Sequence, residues 1–204
     1  MIYPLEFGIK TLGDAAFDII TEAHICNMVR EEFGKRILFG TAIATSEMKE
    51  DLTVLVCNEN QFRGYLKDIT NAVEIGTKFG ISSLLLAHYA YHLTTIDIIP
   101  RTEPVRIWNC FGVSHKITYG VVKDDDEKKQ YLKSLDFDFA FVDGDHSYKG
   151  VKFDFECVKK CGKVLFHDYD HNKPVKEGVV RFIDELPDKK VIKEPPFAYW
   201  RRDG

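Results

Sequence analysis

Acidic side chains stand at the ends of four short apolar runs in this sequence. Glu74 precedes a glycine-containing turn, Asp97 ends the next run, and Asp143 and Asp168 follow two later runs. The carboxyl ends of parallel strands meet at one edge of an α/β sheet, where such sheets bind ligands. The sequence therefore predicts one binding site in which these four carboxylates gather.

A glycine-containing turn follows the first run, where residues 74–82 read EIGTKFGIS. Gly76 and Gly80 permit a tight connection from strand to helix and leave bare backbone for a ligand to approach. The spacing differs from the GxGxxG pattern that brings a pyrophosphate onto a helix N-terminus. Because Glu74 would repel a pyrophosphate, we expect its carboxylate to hold an ammonium group of the ligand.

Asp97 lies 23 residues after Glu74, at the end of the second run. In Rossmann-like sheets an acid at this place accepts hydrogen bonds from the hydroxyl groups of a ribose. An aspartate shortly before Pro100 can also cap a helix or a turn. The spacing favours the ribose-binding role.

Asp143 and Asp168 belong to the segments FVDGDHSY and LFHDYD. Two carboxylates at neighbouring strand ends can share a hard divalent cation such as Mg²⁺. They can equally cap helices or accept backbone hydrogen bonds. His146, in the first segment, is a candidate general base or a hydrogen-bonded residue at the rim of the site.

Short apolar runs alternate with helical patterns from residue 71 onward, which predicts βαβ units and a parallel sheet. The predicted strands cover residues 72–75, 93–99, 105–110, 137–142, 163–166, 190–192 and 197–200. Further helices are predicted over 15–29, 61–69, 81–88, 148–158 and 174–186, with another strand over 52–57. The charged run 123–129 is expected to be a solvated loop. We expect residues 71–204 to form the core and residues 1–70 a helical cap on the substrate side.

The composition describes an ordinary globular chain, with 204 residues of which 45% are hydrophobic and 29% charged. A formal net charge of −4 argues against a protein that grips nucleic-acid backbones. No apolar run is long enough to span a membrane. The five cysteines have neither disulfide nor zinc spacing, which favours a reducing, cytoplasmic location.

The E-x-G-x-x-x-G-x-S turn, the acid ending the second strand, and the VDGDHSY and HDY segments together resemble class I S-adenosylmethionine-dependent methyltransferases. The resemblance is greatest to small-molecule O-methyltransferases, of the catechol type and of the type that methylates sugars in antibiotic pathways. It covers residues 70–170, about half of the chain. It implies a Rossmann-like methyltransferase fold, a mostly parallel seven-stranded sheet with helices on both faces.

By this resemblance S-adenosylmethionine would bind across the glycine turn, with its adenine near residues 112–115. The implied cofactor-binding residues are Glu74, Gly76, Thr77, Gly80, Ser82, Asp97, Gly112, Ser114 and Asp143. Asp143 and Asp168 would match the metal-binding carboxylates, with Mg²⁺ as the ion. Two positions depart from the catechol type: Tyr169 stands where that pattern has Asn, and His146 where it has Lys.

The predicted reaction is transfer of a methyl group to an oxygen of a small-molecule acceptor, with His146 taking the acceptor's proton. One alternative is an NAD- or nucleotide-binding oxidoreductase on the same kind of sheet. Another is a methyltransferase-like domain that binds cofactor or partner without catalysis. We expect no nucleic-acid or membrane partner, and the sequence leaves open a homo-oligomer and the identity of the acceptor.

Overall fold

The computed structural model describes residues 59–170 and 177–202. The predicted helix over 15–29, the strand over 52–57, most of the 1–70 cap and the beginning of the helix at 174 lie outside these residues. Within the described part of the chain, no helix is long and apolar enough to cross a membrane.

The described residues form one seven-stranded sheet. Its strands are β1 Asn71–Ile75, β2 His92–Asp97, β3 Ile117–Val121, β4 Phe139–Val142, β5 Lys163–Phe166, β6 Val191–Glu194 and β7 Phe197–Arg201. They lie in the order β3-β2-β1-β4-β5-β7-β6. Strands β1 to β5 run parallel, and β7 is antiparallel to β5 and β6. The prediction of a mostly parallel sheet that ends in a pair of carboxy-terminal strands is confirmed.

Helices cover both faces of the sheet, as predicted. They are α1 Glu59–Tyr65, α2 Ile81–Tyr89, α3 Glu103–Cys110, α4 Asp125–Ser134, α5 Tyr148–Val158 and α6 Val179–Asp184. Successive strand residues point to opposite faces. In β1, Ala72 belongs to the core under α1, α2 and α3, whereas Val73 belongs to the core under α4, α5 and α6. Burial on both faces explains why the central strands read as continuous apolar runs.

The predicted strand over residues 105–110 is wrong, because this segment forms α3. Pro104 lies in the first turn, where a missing N–H costs nothing. Ile107, Trp108 and Phe111 then recur at helical spacing and are buried. The third strand is β3, an edge strand in which apolar residues alternate with polar ones and with glycine, so it lacks a continuous apolar run.

The predicted solvated loop over 123–129 is also wrong. Asp124 caps the beginning of α4, where its side chain accepts a hydrogen bond of 2.9 Å from the Glu127 amide. Lys128, within the same run, is buried. The charged run is therefore the first turn of a helix that packs on the core.

Candidate functional site

A cavity of about 730 Å³ lies at the carboxyl edge of the parallel strands. Its wall contains residues that follow each of the strands β1 to β5. The wall includes seven residues singled out from the sequence: Gly76, Thr77, Ser82, Asp97, Asp143, His146 and Asp168. Five strand ends therefore share one cavity, at the edge where open α/β sheets bind ligands.

The glycine turn between β1 and α2 depends on its two glycines for backbone shape. Gly76 and Gly80 have φ of 97° and 74°, in the region that disfavours side chains. A Cβ on Gly76 would lie 2.1 Å from the carbonyl oxygen of Asp143, and one on Gly80 would lie 2.6 Å from Trp108 Nε1. Trp108 also donates a hydrogen bond of 2.9 Å to the Gly80 carbonyl. The turn thus packs closely against Asp143 and Trp108, which leaves no room for a side chain at either glycine. Gly80 itself does not line the cavity.

Glu74 lies beneath this turn and is fully buried. Its carboxylate accepts hydrogen bonds from the hydroxyls of Ser82, Ser83 and Thr95. Thr77 and Thr95 are joined by a 2.6 Å hydrogen bond, in which Thr77 donates because the Thr95 hydroxyl donates to Glu74. Burial raises the pKa of Glu74 to about 7, against the three hydroxyl donors, which lower it.

The expectation that Glu74 itself holds an ammonium group does not fit this geometry. Its side chain is not on the cavity wall. Ser82 and Thr77 do lie on the cavity wall. Ser82 is hydrogen-bonded directly to Glu74, and Thr77 is connected to Glu74 through the Thr95 hydroxyl. The carboxylate therefore stabilises the glycine turn through hydrogen bonds on the side away from the cavity.

Asp97 reaches the cavity at the end of β2. Its two carboxylate oxygens accept hydrogen bonds from backbone amides, Oδ2 from Lys78 at 2.7 Å and Oδ1 from Ile99 at 2.9 Å. The side chain thus ties the glycine turn to the loop after β2. Each carboxylate oxygen can accept more than one hydrogen bond, so Asp97 keeps capacity for hydroxyl donors from a ligand.

Gly112 and Ser114 do not lie at the cavity, which corrects the prediction for residues 112–115. They precede β3 instead of following a strand, so they lie at the amino edge of the parallel sheet. The error follows from the misplaced third strand. The residues that do follow β3 and line the cavity are Val122, Asp125 and Lys128.

Four polar side chains meet at the other end of the cavity, after β4 and β5. Asp143 Oδ1 lies 3.3 Å from His146 Nε2 and 3.2 Å from His167 Nδ1. Asp168, in a left-handed conformation with φ of 58°, places its carboxylate 3.5 Å from His146 Nε2 and 3.6 Å from His167 Nδ1. We call these four residues the carboxylate–imidazole cluster.

Charge within this cluster is shared between carboxylates and imidazoles. Burial alone would raise the pKa of Asp143, but the imidazoles of His167 and His146 hold it below its ordinary range. The hydrogen bond to Asp143 raises the pKa of His146, against its burial. The cluster therefore favours an ionised Asp143 carboxylate and makes the His146 imidazole a stronger base than a free one.

His167 is a member of this cluster that the sequence reading missed. The signal was its position in the segment HDY, because His167 follows β5 directly and so lies at the same strand end as Asp168. Ligand atoms of Asp143, His167 and Asp168 all lie within 4.8 Å of one another, so a single metal ion could contact all three. A metal there would replace the proton on His167 Nδ1.

Residues 73–169 match a family model described as a methyltransferase domain. This segment, just under half of the chain, contains the glycine turn, Asp97, Asp143 and Asp168. The site described above lies within the matched segment. No curated protein sequence matches the chain.

Three solved structures show the same fold. An O-methyltransferase from Bacillus cereus in complex with S-adenosylhomocysteine is 18% identical, over 90% of this chain and 100% of that one, with a TM-score of 0.55. The O-methyltransferase TomG from Streptomyces achromogenes, involved in tomaymycin synthesis and bound to S-adenosylmethionine, is 20% identical over 82% and 86%, with a TM-score of 0.53. The N-methyltransferase NodS from Bradyrhizobium japonicum, bound to S-adenosylhomocysteine, is 19% identical over 75% and 86%, with a TM-score of 0.51. The chain thus shares its fold with these three methyltransferases.

Proposed function

We propose that this chain is an S-adenosylmethionine-dependent methyltransferase that methylates an oxygen of a small-molecule acceptor. The observation that carries the proposal is the single cavity that joins the glycine turn and Asp97 to the carboxylate–imidazole cluster. This arrangement supports a cofactor site beside a group that can accept a proton, both within the segment that matches the methyltransferase-domain model. Oxygen as the acceptor atom is supported by the O-methyltransferases among the structural relatives.

The cavity fits this cofactor in size and charge. Its volume of about 730 Å³ is within the range of ligand pockets, roughly 300–1,000 Å³. The wall contains more carboxylates than Lys or Arg side chains. The five carboxylates belong to Asp97, Asp125, Asp143, Asp145 and Asp168, and the three basic side chains are Lys78, Arg101 and Lys128. An acidic wall suits a ligand that carries sulfonium and ammonium charges, and it disfavours the pyrophosphate of NAD.

Asp97 is proposed to bind the ribose hydroxyls of the cofactor. Gly76 and Thr77 supply the wall of the turn, and Ser82 lies beside them at the beginning of α2. In this role Glu74 acts as a positioning residue, because it holds Ser82 and Thr95 in place under the turn. These assignments rest on cavity placement and hydrogen bonding together.

The proposed mechanism uses the chain mainly to orient and deprotonate the acceptor. Bound S-adenosylmethionine supplies an electrophilic methyl group. His146, 40% exposed, donates through Nε2 to Asp143, which leaves Nδ1 as the ring nitrogen that accepts the hydroxyl proton. Asp143 holds the imidazole in this tautomer and stabilises the imidazolium formed.

We also propose a divalent metal ion held by Asp143, His167 and Asp168. Such an ion would lower the pKa of an acceptor hydroxyl. Two carboxylates alone suit Mg²⁺, but an imidazole ligand favours Mn²⁺, Fe²⁺, Co²⁺ or Zn²⁺. We therefore prefer one of these ions over the Mg²⁺ suggested by the sequence resemblance.

The test of the proposed function is calorimetry followed by turnover. We expect S-adenosylhomocysteine to bind and NAD not to bind. Incubation with S-adenosylmethionine and a panel of small hydroxyl compounds should then give products heavier by one methyl group. Binding of NAD in place of S-adenosylhomocysteine would contradict the proposal, and cofactor binding without any turnover would favour a non-catalytic domain.

The metal assignment has a separate test. EDTA should reduce turnover, and Mn²⁺ should restore it better than Mg²⁺. Asp168→Asn should lose this response, whereas Asp170→Asn, two residues further on, should keep it. Full turnover in EDTA would contradict a required metal and leave His146 to accept the proton without it.

The cap formed by residues 1–70 remains a prediction. Its described end supports a position on the core, because Phe62 of α1 packs edge-on against Phe141 of β4 with ring centroids 5.4 Å apart. We propose that the preceding residues cover the acceptor side of the cavity. We likewise propose that the chain acts without a nucleic-acid partner.

A further inference from the structure

Gly178, the residue before α6, packs against the backbone of His146. It is buried, and a Cβ at this position would lie 1.8 Å from the His146 carbonyl oxygen. The same Cβ would lie 3.0 Å from the carbonyl carbons of His146 and Ser147. The φ of Gly178 is −106°, outside the left-handed region that favours glycine. The close approach of the two segments, and not the backbone conformation, therefore requires a glycine here.

The turn that carries His146 is fixed on both sides of this residue. The Asp145 carboxylate accepts hydrogen bonds from the Ser147 amide at 2.8 Å and from the Ser147 hydroxyl at 3.0 Å. Ser147 in turn caps α5, because its hydroxyl accepts a hydrogen bond of 3.0 Å from the Gly150 amide. The position of this turn therefore decides where the His146 imidazole lies, 3.3 Å from Asp143.

Helix α6 is held more firmly than this turn. Most of its side chains are buried: Val179, Val180, Phe182 and Ile183. The Phe182 ring packs against the rings of Phe155 and Phe166, with centroids 5.5 and 6.2 Å apart. Asp145 and Ser147, by contrast, are exposed. A side chain added at position 178 would therefore displace the turn rather than the helix.

A second contact connects α6 to the beginning of α5. The Tyr148 hydroxyl donates a hydrogen bond to the Glu185 carboxylate, directly after α6. The Arg181 guanidinium lies over the Tyr148 ring, 4.5 Å from its centroid. Because Tyr148 is two residues from His146, this contact holds the same turn against α6.

We propose that Gly178 is a positioning residue, which keeps the His146 imidazole beside Asp143 by letting the turn rest directly on α6. This inference rests on the proposed function, in which His146 accepts the proton of the acceptor. An ordinary carbon–oxygen contact is about 3.3 Å, so a Cβ at position 178 moves the His146 carbonyl by more than about 1 Å. Misplacing a catalytic group by about 1 Å can lower the rate about 10²-fold.

The experiment compares Gly178→Ala with Gly64→Ala. Gly64 is the matched control, because it is exposed and a Cβ there has no atom of the described residues within 4 Å. Gly178→Ala should lower kcat about 10²-fold and leave the Kd for S-adenosylhomocysteine nearly unchanged. In the chain with ¹⁵N-labelled histidines, it should also shift the imidazole resonances of His146, which His146→Gln identifies. Gly64→Ala should change none of these quantities.

A double variant shows whether Gly178 acts through His146. Gly178→Ala/His146→Gln should be no slower than His146→Gln alone, because the side chain that Gly178 positions is then missing. Losses that multiply would overturn the inference, and so would unchanged His146 resonances in Gly178→Ala. In both cases, turnover by the unaltered chain would still support the proposed function. Absence of turnover by the unaltered chain would reject the proposed function and this inference with it.

If Gly178→Ala does not fold, Tyr148→Phe decides, because it weakens the contact with α6 without adding an atom. Its His146 resonances should shift, and its kcat should fall about twofold to tenfold, the range expected for one lost hydrogen bond. Lys149→Met, an exposed neighbour on α5, is the control and should change neither. Unchanged resonances and kcat in Tyr148→Phe would overturn the inference.

Discussion

The two ends of the cavity differ in how their charges are satisfied. At the end beyond β2 and β3, the charged groups already have protein partners: Asp97 accepts two backbone amides, and Lys128 contacts two carboxylates. At the end beyond β4 and β5, Asp143 and Asp168 face two imidazoles, with contacts of 3.2 to 3.6 Å. The first end is bonded to the backbone and to neighbouring helices, whereas the second consists of carboxylates and imidazoles, the kinds of group that can exchange protons or bind metal.

This difference suggests a division of labour. Groups with fixed partners lose little freedom on binding, so they suit recognition of the unreactive part of a cofactor. Titratable groups that perturb one another are typical of reacting centres. We therefore expect substitutions at the first end to change binding or stability, and substitutions at the second to change turnover.

The largest effect is expected at the end of the cavity beyond β4 and β5, where the proposed reaction takes place. His146→Gln should reduce kcat about 10²–10⁴-fold, the usual contribution of a general base. Affinity for S-adenosylhomocysteine should be nearly unchanged, because the proposed cofactor contacts lie elsewhere. His115→Gln, an exposed histidine at the opposite edge of the sheet, is the control and should alter neither. A loss of binding equal to the loss of turnover would remove the contrast between the two ends.

At the end of the cavity beyond β2 and β3, Lys128→Met alone should lower the free energy of unfolding by about 3–5 kcal/mol, because it leaves Asp154 buried without a counter-charge. Adding Asp154→Asn should recover most of this loss. Chemical denaturation measures both, with Lys129→Met as the exposed control. If Lys128→Met were as stable as its control, the pair would not be the buried contact described here.

Glu74 makes stability depend on pH. Its folded pKa of about 7 exceeds the ordinary value of 4.5, so the folded state binds this proton more tightly than the unfolded state. The resulting stability is fully present below pH 4.5 and is lost as pH rises to about 7, by about 3 kcal/mol in total.

Denaturation at a series of pH values tests this effect. The unaltered chain should lose more stability across the window than Glu74→Gln, because the variant has no proton to release at this position. Glu156→Gln, an exposed glutamate on α5, should behave like the unaltered chain. Parallel curves for Glu74→Gln and the unaltered chain would show that the raised pKa does not contribute.

The smallest effect concerns the ribose contact. Asp97→Ala should weaken S-adenosylhomocysteine binding by about 1–3 kcal/mol, the loss expected for hydrogen bonds to a charged group. Asp126→Ala is the exposed control, and circular dichroism checks the fold, since Asp97 also accepts the amides of Lys78 and Ile99. Unchanged affinity in a folded variant would reject the ribose assignment.

The buried strands and the residues at their ends could be read from the sequence. β4 is apolar along its whole length, and β1 and β5 are mostly apolar, because both faces of these strands are covered. The acids at or just after the ends of these strands mark the carboxyl edge. β3 could not be recognised in this way, since an edge strand is half exposed and carries an alternating pattern. The adenine-side prediction at Gly112 and Ser114 was wrong for the same reason.

By itself, the sequence determined the parallel strands β1, β2, β4 and β5, the glycine turn and the carboxylates at the edge, because apolar period and turn chemistry are local properties. Only the tertiary structure decided that Glu74 supports the turn from below, that His167 joins Asp143 and Asp168, and that Lys128 pairs with Asp154. The partners in these pairs are far apart in the chain: Glu74 and Thr95 are 21 positions apart, Asp143 and His167 are 24 apart, and Lys128 and Asp154 are 26 apart. Their contacts are set by the packing of helices on the sheet, and no local pattern in the chain encodes which side chains such packing brings together.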